Sequence, residues 1–375
     1  MPLNWVEIDL SALRHNFYQA RSRASGDCRV LGVVKSDAYG HGMVPVAREL
    51  ENCGAAFLAV SKFWEALELR QNGIELPILV LLGFEPSDIR DAIRLGIRPA
   101  VFRMDQARLI SKAASDLNMP ARVHIKVDTG MGRLGVPCND LARFAVELRS
   151  LPGIELEGLL SHFAEADEPD KSFSQFQIGQ FMHAIQTAAE HGVSFPICHI
   201  SNSAGLMDIP NARFHLVRPG IMLYGSPPSE RPSDTDNLQP VMTFKAKILQ
   251  VKQVPAGQPI GYGRTFVTKD ISRIATIAAG YDDGYFRMLS NRGQVLIRGT
   301  RAPVVGRVSM NMITADVTHI PDASEDDEAV LLGAQGDERI TADEIAALCG
   351  TISYEVYCAI GGKQQKFKYF LNATP

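Results

Sequence analysis

Short apolar runs alternate with amphipathic stretches over the first 225 residues of the chain. The amphipathic stretches include residues 61–71, 105–117 and 173–190, whose spacing is typical of helices. The apolar runs cover residues 30–34, 55–60, 78–82, 97–102, 123–127, 156–160, 197–200 and 214–217. Parallel strands covered by helices read as continuous apolar runs, because both of their faces are buried. Eight such units predict an α/β fold of the (β/α)₈ TIM-barrel type rather than an open sheet.

The pattern changes after residues 225–240, where GSPPSERPSDTDNLQP contains four prolines and reads as a linker. Beyond it only residues 341–349 predict a helix. The predicted strands cover residues 243–254, 274–278, 294–297, 303–306, 313–317 and 329–332. The barrel is therefore expected to be followed by a mainly β C-terminal domain. The predicted division is an N-terminal strand in residues 1–10 that joins the C-terminal domain, a barrel in 11–237, and the β domain in 238–375.

Composition narrows the class of protein. The 375 residues are 46% hydrophobic and 21% charged, which is typical of a soluble globular protein, and the net charge is −4. This charge gives no basic excess for a nucleic-acid or membrane partner, and the longest apolar run, 77–84, is too short to span a bilayer. The N-terminus lacks the features of a signal peptide. The six cysteines form no Cys-x-x-Cys pair, so we expect no metal and a cytoplasmic location.

A lysine stands at the carboxyl end of the first predicted barrel strand, in the segment VVKSDAYGHG at 33–42. The carboxyl ends of barrel strands carry the chemistry in this architecture. A lysine there can form a Schiff base when burial or a neighbouring cation lowers its pKa. An isolated strand-end lysine would instead reach towards solvent. The aromatic and glycine-rich context favours Lys35 as a functional residue.

This segment resembles the Lys-x-x-Ala-Tyr-Gly-His-Gly motif of bacterial alanine racemases, which are fold-type III enzymes that use pyridoxal 5'-phosphate. Matching segments follow in the same order along both predicted domains. They are KVDTGMGRLG at 126–135, SHFA at 161–164, SNSA at 201–204, VRPGIMLYG at 217–225, GYG at 261–263, AGYDDG at 279–284 and GRVSMN at 306–311. The resemblance implies a barrel with a β domain, interconversion of L- and D-alanine, and a homodimer whose active sites lie at the interface.

Racemisation removes a Cα proton and returns it on the opposite face, so two bases are the economical solution. The resemblance implies that Lys35 binds the cofactor and is the base for the D face, while Tyr262 of the partner subunit serves the L face. A tyrosine, with a pKa of about 10, is a poor base unless neighbouring cations lower it. His162 and Arg133 match the family positions that do so. The alternatives are a turn aromatic at 262 and a core histidine at 162.

Arg218 ends the eighth predicted strand and, by the resemblance, faces the pyridine nitrogen of the cofactor. A guanidinium does not surrender its proton, so the ring nitrogen stays unprotonated and transamination is disfavoured. A pair with a surface carboxylate is the alternative for Arg218. The cofactor phosphate needs backbone N–H groups and hydroxyls near the last barrel strands. The residues that match this role are Tyr39, Asn202, Ser203, Gly220, Ile221 and Tyr354, and a packed aromatic is an equal alternative for Tyr354.

Further positions match the substrate side of the family site. Arg133 and Met310 match the residues that receive the substrate carboxylate, by guanidinium and backbone N–H respectively, and Tyr281 matches a residue on the access route. Lys126 matches a lysine that is carbamylated in many members. Carbamylation would create an anion that orients Arg133, a role that a chloride or a carboxylate can also fill. The chain departs from the family at Asn311, where Asp is commoner, and in its C-terminal tail.

Three other functions compete with alanine racemisation. A serine or broad-specificity racemase would keep every cofactor residue, whereas a non-catalytic cofactor-binding homologue would lose the second base or the second domain. Residues 130–135 also satisfy the G-x-G-x-x-G pattern of nicotinamide enzymes. Pro137 and Asn139 follow before any helix can start, and Glu155 begins its strand rather than ending it, which opposes that interpretation. The sequence favours an alanine racemase.

Overall fold

The computed structural model describes residues 2–228, 237–362 and 367–372. The chain divides into two compact units. The barrel unit comprises Arg14–Ala38 and Met43–Leu238, and the β unit comprises Met1–Leu13, Tyr39–Gly42 and Gln239–Pro375. The short segment after the strand-end lysine therefore packs with the β unit although the barrel surrounds it in sequence.

The first half of the chain alternates strands and helices. In chain order the elements are β1 (Asn4–Asp9), α1 (Leu10–Ala24), β2 (Arg29–Val33), α2 (Lys35–Gly40), α3 (Met43–Asn52), β3 (Phe57–Val60), α4 (Phe63–Gln71), β4 (Ile78–Val80), α5 (Ile89–Arg94), β5 (Arg98–Val101), α6 (Met104–Leu117), β6 (Ala121–Asp128), β7 (Val136–Pro137), α7 (Leu141–Ser150), β8 (Ile154–Leu160), α8 (Ser172–Glu190), β9 (Ile197–His199), α9 (Ser203–Asp208) and β10 (Leu216–Val217).

Eight strands of the barrel unit form a parallel sheet in the order β10-β2-β3-β4-β5-β6-β8-β9. Each of the eight apolar runs of the sequence overlaps one of them. The end strands come together, because the His215 N–H donates to the Cys198 carbonyl at 3.0 Å and the Arg218 N–H to the Ser201 carbonyl at 2.9 Å. The short strands β3 and β4 are buried throughout, as strands enclosed on both faces are. The prediction of a TIM-type barrel is confirmed.

The second half is mainly β. Its elements are β11 (Met242–Val254), β12 (Pro259–Ile260), β13 (Phe266–Val267), β14 (Ser272–Ile277), β15 (Gln294–Ile297), β16 (Thr300–Pro303), β17 (Ile313–Asp316), β18 (Glu328–Gln335), β19 (Glu338–Ile340), α10 (Ala342–Cys349), α11 (Ser353–Gly361) and β20 (Phe367–Phe370). The long strand β11 is the centre of this unit and pairs antiparallel with β1, β14 and β18. β1 pairs on its other edge with β20, in parallel. The prediction of a mainly β second domain is confirmed.

Three details differ from the sequence pattern. The strand expected at residues 303–306 lies at Thr300–Pro303, because Arg298 and Gly299 adopt positive φ and close a tight hairpin with β15. In the second half, the helix α11 and the strands β12, β13, β19 and β20 had no predicted counterpart. Of the expected linker, residues 225–228 and 237–240 contain no long element, and residues 229–236 lie outside the described part.

Candidate active site

Lys35 lies directly after β2, where the chain enters an unusual turn. Ser36, Asp37, Ala38 and Tyr39 all have φ between 53° and 55°, so α2 is a left-handed helical turn. Each non-glycine residue in this conformation costs roughly 1–2 kcal/mol. The turn starts with a hydrogen bond from the Ala38 N–H to the Val34 carbonyl at 2.9 Å. The backbone at Lys35 is therefore set by a strained segment that the surrounding structure must hold.

Arg218 follows β10 and is buried, with 4% of its surface exposed. Its Nη2 donates to the carbonyls of Ser161 and Ile200 at 2.7 and 3.0 Å, and also approaches the His162 Nδ1 at 3.1 Å. Burial lowers the pKa of Arg218 to about 10, which leaves it a cation at neutral pH. Its hydrogen-bond partners in the described structure are carbonyls and imidazoles, not the surface carboxylate considered above.

A chain of polar side chains, all buried except the half-buried Glu157, continues from Arg218 into the barrel interior. We call it the histidine chain, and its members are Arg218, His199, His124 and Glu157. Arg218 Nη1 lies 3.0 Å from His199 Nδ1, His199 Nε2 lies 2.9 Å from His124 Nδ1, and His124 Nε2 lies 3.0 Å from a Glu157 oxygen. A guanidinium only donates, so each Nδ1 accepts and each Nε2 carries the proton. Both imidazoles are held neutral in one tautomer.

The pKa shifts of His199, His124 and Glu157 agree with these tautomers. Burial, the Arg218 charge and His124 hold the pKa of His199 well below its usual range, and burial lowers the pKa of His124 despite the neighbouring carboxylate. Burial opposes ionisation of Glu157, but the His124 hydrogen bond and the Arg98 charge outweigh it and lower the pKa of Glu157 to about 2. The histidine chain thus joins a buried cation to a half-buried anion through neutral rings.

Several cations converge at the carboxyl ends of the barrel strands. Burial lowers the pKa of Lys126 on β6 to about 8, assisted by the charges of Arg133, Arg218 and Lys35. Burial also holds the pKa of His162 well below its usual range, with the same three cations and Lys126 contributing. The barrel unit therefore brings together Lys35, Lys126, Arg133, His162 and Arg218, all predicted from separate segments. Such a surplus of positive charge favours an anionic ligand.

The segments after β9 and β10 form a cluster of hydroxyl and backbone donors. The Ser203 hydroxyl accepts the Gly220 N–H at 2.9 Å, which leaves its own hydrogen free to donate. The Asn202 side chain accepts the Gly205 N–H at 2.9 Å and caps α9. Ile221 is buried at the start of a short 3₁₀ turn. Within the described residues the buried Ser201 hydroxyl has no hydrogen-bond partner, and it adds a donor that the sequence did not indicate.

In the β unit, Tyr39 lies against Tyr354, with ring centroids 5.9 Å apart. Burial raises the pKa of Tyr39 above its usual value. Gly40 fits there because an added Cβ would lie 2.4 Å from the Tyr357 carbonyl oxygen. The two tyrosines predicted for the phosphate are thus neighbours within this unit.

Tyr262 stands on a short turn between two glycines with φ near +70°, Gly261 and Gly263. It is 72% exposed. The turn carrying Tyr281 is bonded to the Met310 segment, since the Tyr281 N–H donates to the Ser309 carbonyl at 3.0 Å. Other large apolar side chains of this unit are also exposed, and they include Tyr281, Met288, Met310, Met312 and Ile352.

The G-x-G-x-x-G segment folds as a loop around Asp128, which accepts the N–H groups of Gly130 and Gly132 at 3.0 and 3.1 Å. The chain then returns as β7, which pairs with β6 itself, and α7 starts only at Leu141. A dinucleotide-binding motif would pass directly into a helix. The loop instead presents Arg133, so the nicotinamide alternative is wrong.

Sequence reasoning missed His124, Glu157 and His199. Each interrupts an apolar strand, as in VHIKV at 123–127 and ICHI at 197–200, and a polar residue in a barrel strand was the available signal. Among the residues described, no group of three His, Cys, Asp or Glu side chains is placed to hold a metal ion. Nor does any helix in the described ranges have the length and apolar character needed to cross a membrane.

Comparison with known proteins gives consistent matches. Two family models match, "Alanine racemase, N-terminal domain" over residues 8–228 and "Alanine racemase, C-terminal domain" over 241–368. The alanine racemase of Syntrophobacter fumaroxidans is 64% identical over 372 residues, 99% of this chain and 98% of that protein. The alanine racemase structure from D-cycloserine-producing Streptomyces lavendulae has a TM-score of 0.94 at 36% identity, covering 100% of this chain and 98% of that one. The Bacillus anthracis enzyme with bound L-Ala-P has a TM-score of 0.92 at 36% identity, covering 99% and 96%.

Proposed function

The chain belongs to the alanine racemase family, and on that premise we propose that it interconverts L- and D-alanine with pyridoxal 5'-phosphate as cofactor. The observation that carries the proposal is the convergence of Lys35, Lys126, Arg133, His162 and Arg218 in the barrel unit. An amine, a carboxylate-binding guanidinium and a buried cation are what an anionic cofactor and an amino acid require. The bound L-Ala-P of the Bacillus anthracis relative supports alanine as the substrate.

The donor set of the barrel unit fits this cofactor. The free hydrogen of the Ser203 hydroxyl and the unpartnered Ser201 hydroxyl are suited to a phosphate. Asn202, Gly220 and Ile221 shape the same segment, and Tyr39 and Tyr354 are further candidates. When bound, the cofactor draws electron density from the substrate Cα and so makes its proton acidic.

The residues of the chain would then divide the work. Lys35 attaches the cofactor and acts as the base on the D face. Arg218 remains a cation at neutral pH and donates to the pyridine nitrogen without giving up its proton. Arg133 binds the substrate carboxylate as a bidentate partner, and the Met310 N–H supports it.

The second base in this proposal is Tyr262 of the partner subunit. Because the His162 Nδ1 accepts a hydrogen bond from Arg218, its proton lies on Nε2, from which it can donate to a phenolate. Such a bond stabilises the phenolate that acts as the base. The exposure of Tyr262, at 72% of its surface, supports a homodimer with two shared sites. We assign residues 11–237 to cofactor binding and 238–375 to the second base, with 1–10 as a strand of the second domain.

The proposal also covers where the protein is located and which amino acids it accepts. The cysteines Cys28, Cys53, Cys138, Cys198 and Cys349 form no disulfide, which is consistent with a reducing cytoplasm. A serine or broad-specificity racemase on the same scaffold is the second candidate, and Asn311 leaves it open. Asn311 is exposed and lies 3.4 Å from an Asp282 oxygen, where an aspartate would add charge beside the predicted access route.

The proposal is tested with purified protein supplied with pyridoxal phosphate, by measuring D-isomers formed from a panel of L-amino acids on a chiral column. We expect D-alanine to form fastest and Lys35→Ala to form none. Faster conversion of serine would support the second candidate. Cofactor binding without conversion of any amino acid would indicate a non-catalytic protein and overturn the proposal.

A further inference from the structure

A buried carboxylate outside the predicted site touches the segment that carries Lys35. Glu65, in the first turn of α4, is 2% exposed. Its Oε2 accepts the N–H groups of Ser61 and Lys62 at 2.8 and 2.9 Å, and its Oε1 accepts the N–H of Ser36 at 2.6 Å. The first two bonds cap the helix in which Glu65 lies. The third is not needed for that cap, and it reaches across to the neighbouring strand end.

Ser36 is the residue after Lys35 and the first of the left-handed turn. L-residues avoid this conformation because Cβ approaches the following carbonyl oxygen, so the turn needs external support. A second carboxylate holds its far side, where Asp37 Oδ1 accepts the N–H of Met43 at 2.6 Å. The two acceptors therefore fix the beginning and the exit of the turn. A hydrogen bond that an ionised carboxylate accepts is stronger than one between neutral groups.

We propose that Glu65 is a positioning residue for Lys35. It joins the carboxyl ends of the paired strands β2 and β3 and fixes the backbone on which the lysine side chain is built. Loss of the Oε1 bond allows Ser36 to leave the left-handed region, and the lysine amine then spends less time where the cofactor is captured. This inference depends on the proposed role of Lys35 as the cofactor-binding lysine.

The test is a titration of cofactor-free protein with pyridoxal phosphate, followed by absorbance, for wild type, Glu65→Gln and Glu65→Asp. Glutamine can keep the cap only by turning its amide donor towards Ser36, and aspartate is too short to reach all three N–H groups. The matched control is Glu51→Gln in the same unit, since Glu51 also accepts two backbone N–H groups, from Glu75 and Leu76. Thermal midpoints show whether each variant is folded.

We expect both Glu65 variants to weaken cofactor binding about tenfold, and Glu51→Gln to change it less than twofold. The addition of Ser36→Gly to either Glu65 variant should raise the affinity for pyridoxal phosphate at least threefold, because glycine adopts positive φ without the external bond. If the Glu65 variants weakened cofactor binding only by removing the cap of α4, Ser36→Gly would not restore that binding. Equal effects of the Glu65 and Glu51 variants, or no rescue by Ser36→Gly, would overturn the inference. A wild-type protein that binds no pyridoxal phosphate would instead refute the proposed function.

Discussion

Glu157→Gln removes the negative charge at the end of the histidine chain while keeping an oxygen that can accept from His124. In the native structure this carboxylate also lies 3.0 Å from the Arg98 Nε. The variant therefore removes the carboxylate charge that pairs with Arg98, and the shape of the side chain is nearly unchanged. The perturbation tests the charge of the chain rather than its packing.

The magnitude follows from the pKa of Glu157, which is about 2 in place of the usual 4.5. At about 1.36 kcal/mol for each pH unit, the ionised carboxylate stabilises the folded protein by about 3 kcal/mol at pH 7. A carboxyl group with a lowered pKa contributes fully above its unfolded value and loses the contribution as the pH falls towards its folded value. We expect Glu157→Gln to cost about 3 kcal/mol at pH 7 and only about 1.5 kcal/mol at pH 3.

The assay is urea unfolding in a Trp5→Phe background. Trp64 is then the only tryptophan left, and it lies in the barrel unit, so its fluorescence reports on the unfolding of that unit. The control is Glu155→Gln, which lies on the same strand but pairs with Arg122 at 2.9 Å with both side chains half exposed. Exposed pairs contribute less than about 1 kcal/mol. A loss at Glu157 that is equal at pH 7 and pH 3, or no larger than that at Glu155, would refute the reasoning.

Two further predictions concern other residues of the proposed site. Lys126 has a pKa of about 8 in place of 10.5, so it loses its proton at a lower pH in the folded protein than in the unfolded chain. The free energy of unfolding should therefore rise between pH 8 and 10.5. Lys126→Met should remove this rise when urea unfolding is measured at pH 7.5 and 10, and an unchanged rise would contradict the pKa shift. An added Cβ at Gly280 would lie 2.3 Å from the carbonyl oxygens of Ser309 and Met310, so Gly280→Ala should raise the KM for alanine at least tenfold. Gly179→Ala, where nothing lies within 4 Å, should leave KM unchanged, and equal KM values for the two variants would remove Met310 from the substrate site.

Burial on two faces explains why the barrel was predictable from the sequence. Strands such as β3 and β4 are apolar throughout, and helices such as α8 show one apolar stripe. The second half was harder, because β16 depends on a two-residue turn at Arg298 and Gly299 that has only one glycine. The terminal strand β20 depends on pairing with β1 at the other end of the chain, and local patterns do not contain such pairing.

The candidate active site likewise has residues that the sequence predicts and others that it does not. Strand ends and motifs indicated Lys35, Arg133 and Arg218, because reactive groups of a barrel gather at one edge. The left-handed turn after Lys35 could not be predicted, since Ser, Asp, Ala and Tyr carry no preference for positive φ as a run. The role of Glu65 was hidden as well. A glutamate in the first turn of a helix normally caps that helix, and only the fold brings its second oxygen to Ser36.

The central claim is that each active site combines Lys35 of one subunit with Tyr262 of the partner subunit. The direct measurement mixes inactive Lys35→Ala and inactive Tyr262→Phe proteins, unfolds and refolds them together, verifies subunit exchange by mass, and assays alanine racemisation. In a mixed dimer one site has both defects and the other has neither. Random pairing makes about half of the dimers mixed, so activity should recover to about a quarter of wild type. Exchange without any recovery would show that both bases come from one chain and would contradict the account.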